Sequence, residues 1–305
     1  MEKILIAGSL NMDVVVKVED MPKVGETVLA GSLDYIPGGK GANQACAAGR
    51  LGGDVTMIGA VGKDQFADVI LKGLEDAGVD VSGISHTGAP TGIALIPVDN
   101  KGNNSIIVAA GANRLCDLSY IELKKPLIES AGILITQMEI PEDAVYHAIK
   151  TAHGFGRKVI LNPAPTPKFI PADIYPCIDY MTPNETELEA LTGMNTSNIQ
   201  DIADAAKMLI ARGVKRVLVT CGSAGAVLVS SEGYEHCPSP VVNAVDTTGA
   251  GDCFNAAFAV ALIEGKNEKD AIGFACSAAA ISVTREGAQH SMPYRKEVEA
   301  FMRQI

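Results

Sequence analysis

The sequence contains no tryptophan, and aromatic residues make up only 5% of its 305 positions. A hydrophobic core must therefore be built from Ala, Val, Ile, Leu and Met. The sequence also lacks an excess of positive charge, since 25 Lys and Arg stand against 36 Asp and Glu, a formal net charge of −11. This balance excludes the basic surface that general nucleic-acid binding or attachment to anionic membranes requires. We expect neither a nucleic-acid partner nor a membrane partner.

Paired cysteine motifs are absent as well. The seven cysteines stand at positions 46, 116, 177, 221, 237, 253 and 276 without a Cys-x-x-Cys pair, and the five histidines show no metal-ligand spacing. An odd, unpatterned set in a chain of this length is typical of reduced thiols used as small core residues. It does not indicate a zinc site or a disulfide framework.

Long hydrophobic runs are missing too. The longest strongly apolar run, Ala256 to Ile263, is far shorter than the roughly 20 residues that a membrane-spanning helix needs. The first residues, Met1 to Lys3, lead directly into an apolar run without a basic leader segment. We expect a cytoplasmic protein.

Short β-branched runs alternate with amphipathic segments of helical length. In the segment 198–212 the apolar residues recur at helical spacing, and in 64–78 Asp64 is a candidate N-cap and Gly78 a candidate helix end. This alternation predicts an α/β fold with a mainly parallel sheet and helices on both faces. The predicted strands are Lys3–Gly8, Val55–Val61, Ile133–Gln137, Lys158–Asn162, Tyr180–Thr182 and Arg216–Thr220.

Two segments interrupt the alternation with extra strands instead of a long helix. The segment 13–38 contains strand-like pieces at 14–18, 27–29 and 32–36, and the segment 92–110 contains pieces at 93–98 and 105–109. A polar, Gly-containing connection at 99–103 is typical of a hairpin loop. The pattern predicts a small β lid at the edge of the α/β core; the alternative is that these strands extend the main sheet.

The glycine-rich block Asp246–Asp252 precedes an alanine-rich run that predicts a helix over 253–264. A helix that begins in a glycine turn exposes backbone N–H groups and the positive end of its dipole, which suits a phosphate. Asp252, at the first turn, could act as a base beside that phosphate, or it could be an ordinary acid at a helix start.

A second glycine-rich block, Gly38–Asn43, leads into a small-residue helix predicted over 44–50. Its glycines would allow the backbone to approach a ligand closely, or would only supply a loop that needs positive φ. It is not a Walker A loop, because the Gly-Lys pair is followed by glycine and not by Ser or Thr.

Three weaker signals follow predicted strands. Asn11 and Asp13 could bind the vicinal hydroxyls of a polyol beyond the end of the first strand. Asn184 and Glu187 could hold a hydrated Mg²⁺, or could be only a helix N-cap and its capping-box partner. The turn Thr220–Gly225 could border a nucleotide or be only a hairpin.

These blocks occur in the order and spacing of the ribokinase-like carbohydrate kinases, and the sequence resembles that family nearly end to end. The resemblance is carried by Gly39–Ala45, Asn162–Pro165, Thr182–Glu187, Asp246–Asp252 and Val283–Gln289. It implies one three-layer α/β/α domain over residues 1–305 with inserted lid strands at about 13–38 and 92–110. The implied reaction is the ATP-dependent phosphorylation of the 5-hydroxyl of D-ribose to ribose 5-phosphate.

The resemblance also implies roles for individual residues. Asp252 corresponds to the general base, and the N–H groups of Gly249, Ala250 and Gly251 correspond to an anion hole for the transferring phosphoryl group. The implied sugar contacts are Asn11, Asp13, Gly39, Lys40, Gly41, Asn43, Glu139 and Asp252. The implied ATP contacts are Asn184, Thr220, Gly222, Ser223, Gly225, Gly251 and Cys276. The implied K⁺ positions are Asp246, Thr248, Ser282, Arg285, Gly287 and Ser291, and the indirect Mg²⁺ positions are Asn184 and Glu187.

Two positions depart from the family pattern. Cys276 stands where a histidine beside the adenine is expected, so we expect altered stacking on the base with binding retained. Thr248 stands where some members carry an apolar residue, which changes little if the cation ligand is a backbone carbonyl. The resemblance and the exposed edges of the lid strands also lead us to expect a homodimer joined through the lids.

Several alternatives remain open at this stage. The acceptor could be 2-deoxyribose, fructose or a nucleoside; Asp13 favours a vicinal diol, and Tyr35 is the one aromatic near the lid that could face a base. A sugar-binding relative without catalysis would not need Asp252. A dinucleotide oxidoreductase is disfavoured, because no Gly-x-Gly-x-x-Gly follows the first strand.

Overall fold

The computed structural model describes residues 2–304. Fifteen strands are defined in that range. They are β1 (Lys3–Ala7), β2 (Asn11–Lys17), β3 (Ser32–Gly38), β4 (Val55–Ile58), β5 (Ala60–Val61), β6 (Val79–Asp80), β7 (Ser85–His86), β8 (Gly92–Val98), β9 (Ile107–Ala109), β10 (Ala131–Thr136), β11 (Lys158–Leu161), β12 (Tyr180–Met181), β13 (Arg216–Thr220), β14 (Ala226–Val229) and β15 (Tyr234–Cys237).

Nine α-helices connect or follow these strands within the described residues, and none of them is long and apolar enough to cross a membrane. They are α1 (Lys40–Arg50), α2 (Gln65–Asp76), α3 (Leu118–Ser130), α4 (Glu142–Gly154), α5 (Glu185–Thr192), α6 (Ile199–Ala211), α7 (Ala250–Ile263), α8 (Glu268–Ser282) and α9 (Arg295–Met302).

The main sheet has nine strands in the order β15-β14-β13-β12-β11-β10-β1-β4-β6. All neighbours from β13 to β6 pair in parallel, and β14 pairs antiparallel with both β13 and β15 at one edge. Alternate side chains of β1 enter two separate cores. Ile4 and Ile6 pack with α1, α2, α7 and α8, whereas Leu5 and Ala7 pack with α3, α4 and α6. The predicted α/β fold with a mainly parallel sheet is confirmed.

The extra strands form a sheet of their own, in the order β3-β2-β8-β9. They do not extend the main sheet, so that alternative is wrong. The predicted strand piece at 27–29 is also wrong, because these residues have no strand partner among the described residues. Their peptide groups lie in an exposed connection, where β-branched composition alone does not form a strand.

Three element boundaries differ from the prediction, and each of them lies at glycine. The predicted strand 55–61 is divided at Gly59, and β5 leaves the main sheet to pair with β7. A Cβ at Gly59 would lie 2.8 Å from the carbonyl oxygen of Gly8, so the backbone turns where only glycine fits. Helices α1 and α7 both begin inside their glycine blocks, at Lys40 and Ala250, and not after them.

Asp64 fixes the start of α2 and the start of the second inserted segment together. Its Oδ1 accepts from the Ala67 N–H at 3.0 Å, as an N-cap does, and its Oδ2 accepts from the Thr91 N–H at 2.8 Å. Thr91 directly precedes β8. These hydrogen bonds hold the pKa of Asp64 below its usual value, although burial acts in the opposite direction.

Helix α1 packs so closely on its neighbours that one of its glycines has no room for a side chain. A Cβ at Gly49 would lie 2.4 Å from the carbonyl oxygen of Ala77, whereas a Cβ at Gly73 in α2 would have no neighbour closer than 3.9 Å. We expect Gly49→Ala to lower the free energy of unfolding by about 1–3 kcal/mol through overpacking. The matched control Gly73→Ala should raise it by about 0.5–1 kcal/mol, because alanine favours a helix. Urea denaturation followed by circular dichroism measures both; equal effects would contradict the packing argument.

Candidate active site

The carboxyl ends of the parallel strands and the N-termini of α1, α5 and α7 surround one cleft. Its deeper part is a cavity of about 210 Å³ that contains Asp252 and Lys40, and its outer part is a cavity of about 390 Å³ that contains Cys276. The two parts share Asn184, Thr220, Ala250 and Gly251 in their walls. A cleft at this edge of an open α/β sheet is where such folds bind ligands.

Asp252 lies at the floor of the deeper cavity, with only 6% of its surface exposed. Its two carboxylate oxygens accept hydrogen bonds from different amides: Oδ2 from Asn43 Nδ2 at 3.0 Å and Oδ1 from Gln44 Nε2 at 3.0 Å. Burial raises the pKa of Asp252, and the Lys40 ammonium and the two amides oppose that rise without cancelling it. The two glycine blocks of the sequence therefore meet at this carboxylate.

The N-terminus of α7 is open. Gly249 is the N-cap with φ of 75°, and no side chain caps the helix. Of the three predicted anion-hole amides, the Ala250 N–H donates to the carbonyl oxygen of Thr247 at 3.2 Å. Within residues 2–304, the N–H groups of Gly249 and Gly251 have no hydrogen-bond acceptor. These two amides and the helix dipole are thus available to an anion.

The other glycine block is packed against the connection between β1 and β2. Gly39 has φ of 87°, and a Cβ there would lie 2.8 Å from the Asn11 nitrogen. A Cβ at Gly41 would lie 2.6 Å from the Ser9 nitrogen. Gly39 is therefore required for its positive φ, and both glycines are required for the close approach of the backbone. These structural needs account for the glycines of the block whether or not it binds a ligand. The close approach brings Lys40 and Asn43 to the cavity that holds Asp252.

Lys40 is surrounded by carboxylates. Burial lowers the pKa of Lys40, but the charges of Asp252, Glu139 and Glu187 outweigh burial and raise it. The ammonium is therefore charged at every physiological pH. It supplies positive charge beside an N-terminus that already attracts anions, in a protein that is acidic overall.

Asp13 and Glu139 lie close to the residues around Asp252, since the charges of Glu139 and Asp252 act on Asp13 and Glu139 binds the Lys40 N–H. Asn11 lies nearby on β2, beside Gly39. Burial, then the charges of Glu139 and Asp252, raise the pKa of Asp13 to about 7. Asn11 Oδ1 accepts from Asn113 Nδ2 at 2.8 Å, and Glu139 Oε2 accepts from the Lys40 N–H at 3.0 Å and from the Ser9 hydroxyl. Buried oxygen atoms of this kind suit a ligand with several hydroxyl groups.

The outer cavity has a mixed wall. Thr220, Gly222, Gly225 and Cys276 line it together with Phe254, and burial raises the pKa of the Cys276 thiol to about 12. Thr220–Gly225 is the connection between antiparallel strands, as the hairpin interpretation required. Ser223 lies on the exposed side of this turn and does not line the cavity.

Asn184 and Glu187 form a complete capping box at the start of α5. Asn184 Oδ1 accepts from the Glu187 N–H at 2.8 Å, and Glu187 Oε2 accepts from the Asn184 N–H at 3.0 Å. The prediction that these residues are a helix N-cap and its capping-box partner is therefore confirmed, and it uses one oxygen of each side chain. Both residues also line the deeper cavity, and Glu187 Oε1 makes no hydrogen bond within the described residues.

The predicted cation positions come together in two adjoining loops. Asp246 Oδ1 accepts from the Thr248 N–H at 2.9 Å, and its Oδ2 accepts from the Gly287 N–H at 2.8 Å. Burial raises the pKa of Asp246, but these bonds outweigh it and lower the pKa. The side chains of Ser282 and Ser291 donate to backbone carbonyls, and the Arg285 side chain pairs with Glu297 at 2.6 Å. No cluster of three or more His, Cys, Asp or Glu suited to a metal occurs in residues 2–304.

Several polar residues of the site were not predicted. They are Ser9, Gln44, Asn113, Gln137, Asn162 and Asn255. Gln44 and Asn162 stand inside sequence blocks that carried the family resemblance, so their positions could have been noticed. Ser9, Asn113 and Gln137 carry no local signal, because only the fold brings them to the cavity.

Comparison with known proteins identifies the family. The family model described as the pfkB family carbohydrate kinase matches residues 1–295. The chain is a pfkB family carbohydrate kinase. Its family membership was predicted from the ordered glycine and Asn/Glu blocks, and that prediction is confirmed.

Relatives within the pfkB family are similar over nearly the whole chain. The ribokinase of Bacillus subtilis (strain 168) is 40% identical over 99% of this chain and 100% of its own length. The deoxyribokinase of Salmonella typhi is 36% identical over 98% of each chain. The structure of Arabidopsis thaliana ribokinase complexed with ribose and ATP has a TM-score of 0.92 at 36% identity, and the similarity covers 99% of this chain and 98% of that one. The predicted ribokinase-like fold of this kinase is confirmed.

Asp13 gives the stability of this kinase a testable pH dependence. Burial and the neighbouring acids raise its pKa to about 7 from the ordinary value of 3.8, so the folded state loses stability as the pH rises from about 4 through 7. Asp13→Asn removes that loss, and we expect its advantage in melting temperature to grow between about pH 4 and pH 7 and to level off above pH 7. Differential scanning fluorimetry of both proteins measures it. The control Asp34→Asn, at an exposed position on β3, should differ from the parent by a constant amount.

Proposed function

We propose that this kinase transfers the γ-phosphoryl group of ATP to the 5-hydroxyl of D-ribose, giving ribose 5-phosphate and ADP. The observation that carries the proposal is the buried Asp252 carboxylate, set between the sugar-side acids and the open N-terminus of α7. The full-length similarity to ribokinases, one of them complexed with ribose and ATP, supports the choice of both substrates.

In the proposed reaction, Asp252 takes the proton of the attacking hydroxyl. The N–H groups of Gly249 and Gly251 and the ammonium of Lys40 stabilise the charge on the transferring phosphoryl group, and Ala250 contributes through the helix dipole. Phosphoryl transfer depends on positioning and charge neutralisation more than on covalent catalysis, so the absence of an arginine cluster is no obstacle. Burial raises the pKa of Asp252, which strengthens its carboxylate as an acceptor for the proton of the hydroxyl.

The two substrates occupy opposite ends of the cleft in this proposal. Asp13 and Glu139 hold the sugar hydroxyls with Asn11 and Asn43, while Gly39, Lys40 and Gly41 form the backbone beneath them. ATP lies in the outer cavity against Thr220, Gly222, Gly225, Gly251 and Cys276, with Asn184 at the phosphates. Ser223 is exposed and does not line the outer cavity, so a contact with ATP would have to come from the solvent side of the turn.

Both predicted cations fit residues of the chain. Glu187 and Asn184 line the cavity of Asp252, and a hydrated Mg²⁺ held by them would neutralise charge on the polyphosphate. K⁺ would be held in the loops that contain Asp246, whose carboxylate is ionised, and Gly287, largely through backbone carbonyls of Thr248, Ser282, Arg285 and Ser291.

We also propose that the chain is one α/β domain over residues 1–305 and that the four-stranded sheet acts as a lid over the sugar. Leu33, Tyr35, Leu95 and Ile107 are 44–63% exposed, and the strand register puts them on one face of that sheet. Such an apolar face favours a homodimer joined through the lids. A single species of monomer mass in sedimentation at micromolar concentration would contradict this assembly. Seven free thiols and the use of ATP support a cytoplasmic location.

A second acceptor, 2-deoxyribose, is favoured by one observation, the 36% identity to deoxyribokinase. A nucleoside has less support, since Tyr35 packs against Phe66 and does not form a wall for a base, and no observation favours fructose. A panel of ribose, 2-deoxyribose, fructose and nucleosides in a coupled ADP-release assay, with and without K⁺, separates these possibilities. Equal kcat/KM for ribose and 2-deoxyribose would show that no contact reads the 2-hydroxyl.

Asp252→Asn tests the proposed mechanism directly. We expect kcat to fall by at least about 10²–10⁴-fold, since the variant keeps the shape of the site but lacks the proton acceptor. Binding of ADP, measured by isothermal titration calorimetry, should be unchanged. The matched control is Asp270→Asn, an exposed acid in the first turn of α8. Near-normal turnover of the Asp252 variant would refute the assignment.

A further inference from the structure

Three amide side chains form a chain of hydrogen bonds beneath Asp252. Gln44 and Gln137 are completely buried, and Asn162 is 7% exposed. Gln44 Nε2 donates to Asp252 Oδ1 at 3.0 Å and to Asn162 Oδ1 at 3.4 Å, and Gln137 Nε2 donates to Gln44 Oε1 at 2.7 Å. Burying three amides is costly unless they are paired, so this arrangement needs an explanation.

The direction of every bond in this chain is fixed from one end. Asn162 Nδ2 donates to the backbone carbonyl of Thr182 at 3.1 Å, which leaves Asn162 Oδ1 facing Gln44. Reversing the Gln44 amide would place its oxygen against the oxygens of both Asn162 and Asp252. Gln44 is therefore held as a donor to Asp252 Oδ1, with both of its N–H bonds used.

The other oxygen of Asp252 is held differently. Asn43 Nδ2 donates to Oδ2 at 3.0 Å, but the Oδ1 atom of Asn43 is buried without a hydrogen-bond partner in the described part of the chain. Asn43 is thus anchored at one end only, and it is one of the proposed sugar contacts. If Asn43 turns to bind a sugar hydroxyl, Asp252 Oδ2 loses its hydrogen bond and becomes free. Gln44 would still donate to Asp252 Oδ1.

We propose that Gln44 is a positioning residue, which holds Asp252 by Oδ1 so that Oδ2 receives the proton of the sugar hydroxyl. This inference rests on the proposed kinase function. In the step, the sugar O–H bond breaks and its proton passes to Oδ2, while the sugar oxygen forms a bond to the γ-phosphorus. The bond from that phosphorus to the β,γ-bridging oxygen breaks, and ADP leaves with the electron pair.

Gln44→Met tests the proposal, because methionine has similar length and offers no donor. We expect kcat to fall about 10–100-fold, a part of the loss typical of a displaced acid–base group, with KM for ATP and sugar within about threefold. The acid limb of the kcat–pH profile should move to higher pH, since a donor to the charged form is lost. The control is Thr136→Val, at the end of β10 beside Gln137, where the buried hydroxyl has no partner. It should leave kcat and the pH profile unchanged.

A double-mutant cycle with Asp252→Asn separates positioning from general structural damage. If Gln44 acts through Asp252, Gln44→Met should change the residual kcat of the Asp252→Asn variant by less than about twofold. A full further loss, or a normal kcat and pH profile of Gln44→Met alone, would overturn the proposal. The latter result together with an inactive Asp252→Asn variant would leave the kinase function standing. Should Gln44→Met not fold, Gln137→Met must shift the same acid limb in the same direction; an unshifted limb in that variant overturns the proposal.

Discussion

The contact on which the site depends is the pair of amide hydrogen bonds from the start of α1 to the carboxylate at the start of α7. Each helix begins in a glycine block, and Asn43 and Gln44 of one bind Asp252 of the other. Two helix N-termini with their positive ends in one cleft would repel each other without a negative charge between them. Asp252 supplies that charge, and the open amides of Gly249 and Gly251 stay available to an anionic ligand.

The sheet makes this contact possible. β1 lies inside the sheet between β10 and β4, and its residues enter cores on both faces, so the connection that follows it is fixed from two sides. Gly39 and Gly41 then allow α1 to start within van der Waals reach of that connection. Close packing also explains why so few aromatic residues suffice. Alanine-rich faces of α1, α7 and α8 bring backbones near each other, and the buried volume is filled by small side chains.

Much of this arrangement was predictable from the sequence because it is local. Asp64 as an N-cap, the Asn184–Glu187 capping box and the glycine blocks all depend on residues close together in the chain. What could not be predicted depends on distant pairings. The amides that hold Asp252 come from positions more than 200 residues away, and the division of a strand at Gly59 follows from a carbonyl at Gly8. Ser9 and Asn113 have no pattern around them, since a single buried hydroxyl or amide acquires meaning only from its neighbours in space.

The carboxylates of Asp64 and Asp13 have opposite pKa shifts, although Asp13 lies in the four-stranded sheet and Asp64 beside it. Asp64, which joins the root of β8 to the first turn of α2, stays ionised across the physiological range because its hydrogen bonds lower its pKa. Asp13, on the adjoining strand β2, titrates near neutrality. Acidification within that range therefore changes the charge at the proposed sugar contact on β2, whereas the carboxylate that joins the start of β8 to α2 keeps its charge.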